Sequence, residues 1–256
     1  MRDLLTVESV SKYFGGLAAV AGINLRIGEG ELVGLIGPNG AGKTTVFNLL
    51  TGVYRPSEGT IRFQDRLING LKPYQIARLG ITRTFQNIRL FKTLTVLQNV
   101  KVSANLRSQC SLLASVLLTP TQIREDAVLE AESMTLLEKL GLAEYRDQRS
   151  TALPYGMQRR LEIARALATR PRFLLLDEPA AGLNPAEKSE LMELISQIRR
   201  DFGLTILLIE HDMRLVMGIC ERVYVLDYGQ VIAEGSPDEV RRNPKVIEAY
   251  LGTGVH

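Results

Sequence analysis

Three groups of residues carry the chemistry this chain can do. Gly37, Pro38, Asn39, Gly40, Ala41, Gly42, Lys43 and Thr44 stand in the order G-x-x-x-x-G-K-[ST], a spacing suited to phosphate. Glycines in such a loop let successive backbone N–H groups converge on phosphate oxygens. A helix starting at the lysine points the positive end of its dipole the same way. Lys43 then reaches the β- and γ-phosphates of a nucleotide, and the Thr44 hydroxyl is a ligand for Mg²⁺. Thr45, next on the helix, belongs to the same nucleotide contact.

The second group is Asp177 and Glu178, which close the apolar run 173–176. Acids at the carboxyl end of a buried parallel strand lie where open α/β sheets bind ligands. Asp177 suits Mg²⁺, and Glu178 suits the base that orients or deprotonates an attacking water. The third is His211, which follows the apolar run 205–209. At the end of a parallel strand beside the same site, its imidazole is placed to contact the γ-phosphate.

The flanking elements must position these groups. Leu32, Val33, Leu35 and Ile36 form a short apolar run ahead of the glycines, and Val46, Phe47, Leu49 and Leu50 follow at helical spacing until Gly52. Strand, glycine loop and helix therefore succeed one another. Residues 4–10 and 23–27 read as strands around Gly15 and Gly16. Phe14 lies just ahead, where an aromatic ring either stacks on a base or packs between strands. From 87 to about 150 strand signals vanish and helical periodicity takes over, with Thr121 as a helix cap and an apolar stretch at 112–118 read as internal packing. The segment 153–160 precedes a further helix, and Gly156 before it keeps N–H groups open as a second anion site. Asn184, Pro185 and Glu187 spell the start of another helix. Strand–helix alternation implies a parallel sheet with right-handed crossovers.

Composition narrows the class. With 256 residues, 45% hydrophobic and 23% charged, the chain has an ordinary globular balance. A net charge of +3 without a Lys/Arg block gives no arm for nucleic acid. Cys110 and Cys220 lie far apart without metal spacing and read as structural thiols of a reduced compartment. No signal peptide is evident, and 112–118 is far short of the ~20 residues that span a bilayer. A membrane role must come through a partner.

Taken together, these motifs resemble the ATP-binding subunit of ABC transporters over the whole length. The resemblance implies an α/β fold: a P-loop NTPase (RecA-like) core with a mainly parallel sheet, an N-terminal antiparallel β subdomain and an inserted helical subdomain. Its boundaries are 1–86 and 155–256 for the core and 87–154 for the insertion. It further implies that Phe14 stacks on adenine and that Gln86 senses Mg²⁺ and the membrane partner. Leu153, Pro154, Tyr155 and Gly156 form the signature segment facing the γ-phosphate of an opposing subunit, and residues 181–184 contact the dimer partner. ATP and Mg²⁺ are the implied ligands. The implied partners are transmembrane permease subunits, a second ATP-binding subunit and, indirectly, a periplasmic or extracellular binding protein. The implied place is the cytoplasmic face of the cell membrane. Residues 83–91, 161–165, 180–185 and 246–252 are similar to the LivG-type branch, which serves importers of branched-chain amino acids. Importers of urea or short amides and a soluble, non-transport ABC-type ATPase are the alternatives. Two features depart from the family's pattern: Pro154 and Tyr155 replace a signature serine and glycine, and Asn184 replaces a dimer-loop aspartate.

Overall fold

The computed structural model describes residues 3–107 and 120–251. Its contacts divide the chain into two compact units, Met1–Arg83 with Arg172–His256, and Thr84–Pro171.

The first unit is built on two sheets. Strands β1 (Asp3–Phe14), β2 (Leu17–Gly28), β4 (Glu58–Phe63) and β5 (Arg66–Leu67) form an antiparallel sheet in the order β2-β1-β4-β5. The second sheet runs β10-β9-β3-β8-β7-β6, from β3 (Leu32–Ile36), β6 (Ile81–Arg83), β7 (Phe173–Asp177), β8 (Thr205–Ile209), β9 (Arg222–Asp227) and β10 (Gln230–Gly235). Its pairs are parallel apart from β9–β10. Every residue of β3, β7 and β8 is buried, as continuous apolar strands covered on both faces require. On one face Val33, Leu35, Leu175, Leu207 and Ile209 join the antiparallel sheet's Val7, Ile23 and Leu25 in a shared core with Phe47. On the other face Gly34 lies against Val216 and Cys220, at the helix Met213–Ile219. Cys220 is buried, and burial pushes its thiol up to about 12, so it packs as an inert apolar group; Cys110 lies outside the described residues.

The helices of the first unit are α1 (Lys43–Leu50), α2 (Pro73–Leu79), α6 (Pro185–Phe202), α7 (Met213–Ile219), α8 (Pro237–Arg242) and α9 (Pro244–Leu251). Gly52 turns the chain after α1 at φ +72°. Helix α6 opens on the capping box expected of Asn184 and Glu187: Asn184 accepts from the Glu187 N–H, and Glu187 accepts from the Asn184 N–H. Leu191, Leu194, Ile195 and Ile198 form its buried stripe.

The second unit holds α3 (Val96–Ala104), α4 (Pro120–Lys139), α5 (Tyr155–Ala168) and short 3₁₀ turns. Gly141 ends the turn after α4 at φ +69°. Residues 112–118 and the Thr121 side chain lie outside the described residues. The unit is wider than the 87–154 read from the sequence, because α5 packs against α3 and α4. Periodicity shows that α5 has a buried stripe but not which elements cover it. Among the described residues, no helix is long and apolar enough to cross a membrane.

The Asn184 cap gives a direct measure of local design. Asn184→Ala removes one side-chain acceptor at an exposed helix start and should cost about 1 kcal/mol, seen as a fall in Tm of about 2–4 °C. An unchanged Tm would mean that tertiary packing alone holds this helix start.

Candidate functional site

The site is assembled at the carboxyl ends of the parallel strands of the first unit. β8 lies between β3 and β7, with Ile209 opposite both Leu35 and Asp177. The loop 37–42 after β3, the acids after β7 and His211 after β8 therefore emerge at one edge of the sheet. This is the juxtaposition expected of Lys43, Asp177, Glu178 and His211.

The loop's shape is imposed by close backbone approach. A Cβ on Gly37, at φ +150°, would lie 2.0 Å from the Leu226 carbonyl oxygen of β9. One on Gly42, at φ +104°, would lie 2.6 Å from the Ala19 oxygen of β2. Only glycine fits there. The turn after β9 braces the loop: the Gly229 N–H donates to the Ala41 oxygen at 3.0 Å, and the Ala21 N–H donates to the Gly229 oxygen at 2.9 Å. On α9, burial raises the pKa of the Tyr250 hydroxyl, opposed by the Gly37 backbone.

Lys43 is buried, at 8% exposure. Its ammonium donates to the Gly37 and Pro38 oxygens at 2.7 and 2.9 Å. Burial pulls its pKa down, opposed by the negative charges of Glu178 and Asp177. Gly42, the N-cap of α1, offers no side chain to the helix, so the first-turn N–H groups are left to another acceptor. Pro38 and Thr45 are partly exposed, and Asn39, Gly40 and Thr44 are exposed along the same rim.

Asp177 is nearly buried and paired with Arg83 at 2.8 Å. Arg83 also donates to Asn48 of α1 at 2.7 Å, which ties β6, β7 and α1 together around the carboxylate. Thr44 and Asp177 form an all-oxygen donor pair that suits Mg²⁺. Among the described residues no cluster of three or more His, Cys, Asp or Glu side chains could hold a metal alone. The pair therefore fits an ion whose other ligands come from phosphate and water.

Glu178 sits at φ +45°, a left-handed conformation rare for a residue with a side chain. Its N–H donates to the Ile209 oxygen at 3.0 Å, and its own oxygen accepts from the Ala181 N–H at 3.1 Å. Its carboxylate lies 3.7 Å from His211 Nδ1, within electrostatic reach but beyond a hydrogen bond. The His211 ring is mostly exposed.

Glu210 is the residue that the sequence reading passes over. It is fully buried and accepts from the Ala180 N–H at 2.8 Å and from the His211 and Asp212 N–H groups at 3.2 and 3.4 Å. Burial raises its pKa against these donors. Glu210 thus joins the loop that carries Glu178 to the loop that carries His211. A third charged residue at the end of an apolar strand was the signal available; the acid sits one position before the histidine.

Phe14 is partly exposed at the end of β1. It packs edge-on to Tyr54 at 5.1 Å, with the Lys12 ammonium 5.0 Å from the ring centre. The other expected residues belong to the second unit. Gln86 is exposed, and its backbone oxygen accepts from Arg159 at 2.8 Å. Leu153 is buried, Pro154 and Tyr155 are exposed, and Gln158 donates to the Leu153 oxygen at 2.8 Å. Helix α5 begins at Tyr155 with Pro154 at its N-cap position. Gly156 is therefore inside the first turn, not ahead of the helix, because the fixed proline geometry starts the helix earlier.

Comparison with known proteins adds the family. Residues 20–181 match the family described as ABC transporter, and residues 230–256 match the one described as branched-chain amino acid ATP-binding cassette transporter. The chain is 51% identical over 98% of both chains to the high-affinity branched-chain amino acid transport ATP-binding protein LivG of Escherichia coli (strain K12). It is 48% identical, at the same coverage, to the corresponding protein BraF of Pseudomonas aeruginosa. Among solved structures, the ADP conformation of an ATP-binding cassette of an ABC transporter superposes with a TM-score of 0.86 at 32% identity, over 98% of this chain and 100% of that one. Fold, strand-end residues and sequence identity agree, and the chain belongs to the ATP-binding cassettes of ABC transporters.

Proposed function

We propose that this chain binds and hydrolyses ATP as the motor subunit of an importer for branched-chain amino acids. One observation carries the chemistry: the glycine loop with its buried Lys43, the acids Asp177 and Glu178, and His211 emerge at one edge of the parallel sheet. The substrate follows from the LivG and BraF relatives and from the C-terminal match.

In this reading the N–H groups of the loop 37–42 and of the start of α1 hold the β- and γ-phosphates. Lys43 supplies counter-charge, and Thr44 and Thr45 complete the rim. Thr44 and Asp177 would hold Mg²⁺ through their oxygens. The ion, when bound, neutralises charge on the phosphates. Arg83 pairs with the Asp177 carboxylate and orients it. Glu178 accepts a proton from water as that water's oxygen bonds to the γ-phosphorus and the bond to the β,γ-bridging oxygen breaks. His211 lies beside Glu178 and contacts the γ-phosphate. Phe14 presents a ring face to adenine.

Leu153, Pro154, Tyr155 and Gly156 act in trans, toward the phosphate of a second ATP-binding subunit. Permease subunits hold the pair at the cytoplasmic face of the membrane, and a binding protein outside delivers the amino acid. Pro154 brings no hydroxyl to the phosphate, so its half-site has one donor fewer than a serine would supply.

The experiment is hydrolysis by the assembled transporter with candidate ligands. Leucine, isoleucine or valine should stimulate it, and urea or a short amide should not; the reverse would move the substrate assignment. In that assembly Glu178→Gln should keep ATP binding and lose turnover by about 10²–10⁴-fold, the usual worth of a positioned base. Near-parent turnover would remove Glu178 from that role. Lys43→Ala should instead lose binding of a labelled ATP analogue, since phosphate charge is left uncompensated. Affinity within about twofold of the parent would overturn the phosphate assignment.

A further inference from the structure

The second unit contains a buried ion pair that the chemistry above does not use. Arg159 is fully buried and Glu162 is 4% exposed. Both lie on α5, three residues apart, and Arg159 Nη1 donates to Glu162 Oε2 at 2.8 Å. The pair faces the segment that carries Gln86. Arg159 donates to the Phe85 and Gln86 backbone oxygens at 2.7 and 2.8 Å. Glu162 accepts from the Phe85 and Arg89 N–H groups at 3.2 and 3.4 Å. Arg159 also donates to the Tyr155 hydroxyl at 3.3 Å, at the start of the same helix.

These bonds go to backbone, so they fix the path of the chain through 85–89 whatever its side chains are. They also go to both polarities. The guanidinium takes up carbonyls and the carboxylate takes up N–H groups, so the segment can slide neither way without leaving a buried charge partly unsatisfied. The same helix carries Tyr155 and Gly156 one turn before Arg159.

We propose that Arg159 and Glu162 are positioning residues that lock the Gln86 segment to the helix bearing the signature residues. Gln86 and residues 153–156 then move as one piece within this unit. A displacement of the Gln86 backbone displaces the signature helix by the same amount, and it is this rigidity that couples ligand arrival to hydrolysis. The proposal rests on the reading of Gln86 and of 153–156 given above.

The test uses the assembled transporter. Glu162→Ala alone strands a buried guanidinium and is expected to impair folding. Arg159→Met combined with Glu162→Leu removes both charges and keeps apolar volume, so it should assemble with a Tm close to the parent's. Three results are expected of this double variant. Amide exchange of Phe85 and Arg89 rises by about tenfold or more, while that of β3 is unchanged. The KM for ATP stays within about twofold, because Lys43 and its loop lie in the other unit. The ratio of ligand-stimulated to basal hydrolysis falls by about tenfold.

Unchanged exchange at Phe85 and Arg89 would show that the pair does not anchor the segment and would overturn the proposal. Faster exchange with an undiminished stimulation ratio would overturn it as well, since the anchor would then have no part in coupling. Gln86→Ala in parallel keeps the two ideas apart. Full stimulation in that variant would overturn the sensing role of Gln86, while the exchange at Phe85 and Arg89 would still judge the anchor.

Discussion

Burying a lysine ammonium is the constraint on which this structure turns. Desolvation disfavours the charged form, and here it does lower the Lys43 pKa. Two oxygens of its own loop accept from the ammonium, and the negative charges of Glu178 and Asp177 oppose the shift. Those oxygens, Gly37 and Pro38, can face the ammonium only if the chain turns tightly, and it does so against the backbone of β9 and β2. The glycines follow from that geometry, since a Cβ at Gly37 or Gly42 would overlap a carbonyl oxygen. Electrostatics and sterics therefore demand the same loop.

The second constraint is the conformation of Glu178. A left-handed φ at a residue with a side chain costs on the order of 1–3 kcal/mol and persists only where surrounding bonds over-determine it. Here the Glu178 N–H is held by Ile209, its oxygen by Ala181, and the next turn by Glu210 through Ala180. The result aims a carboxylate off the end of β7 toward His211 instead of along the strand. A buried acid thus serves a partly buried one. Glu210 carries the cost of desolvation so that Glu178, at the rim, keeps its place.

Much of this was legible in the sequence, and the reason differs from part to part. The apolar runs at 32–36, 173–176 and 205–209 are each followed by a chemically distinctive residue, and short apolar runs in an α/β pattern leave little choice of structure. Asn184, Pro185 and Glu187 act over three residues, so local chemistry was enough to read the helix start. What escaped were interactions between residues far apart in the chain. Arg83 to Asp177 and Gly229 to Ala41 depend on strand order, which periodicity does not reveal. Gly156 reads as preceding its helix and is instead the second residue of it, because a proline can precede a helix or open it. The cover of α5, supplied by α3 and α4, is likewise invisible to periodicity.

The two units also solve the problem of buried polarity in different ways. Around Lys43 the compensating groups come from its own loop and from the end of β7, so the charge is fully compensated only after the sheet has formed. Around Arg159 the partner carboxylate is three residues along the same helix, the Tyr155 hydroxyl is one turn back on it, and the remaining partners are the backbone of one short segment. Pairing at (i, i+3) forms with the helix itself, and the segment 85–89 then has a preformed site that accepts one register. A buried ion pair is weak evidence for stability, because apolar side chains of similar volume often serve as well. Its advantage here is specificity: an apolar contact tolerates sliding, whereas alternating donors and acceptors along a backbone do not. That is the property a segment needs when the position of one glutamine has to be transmitted faithfully.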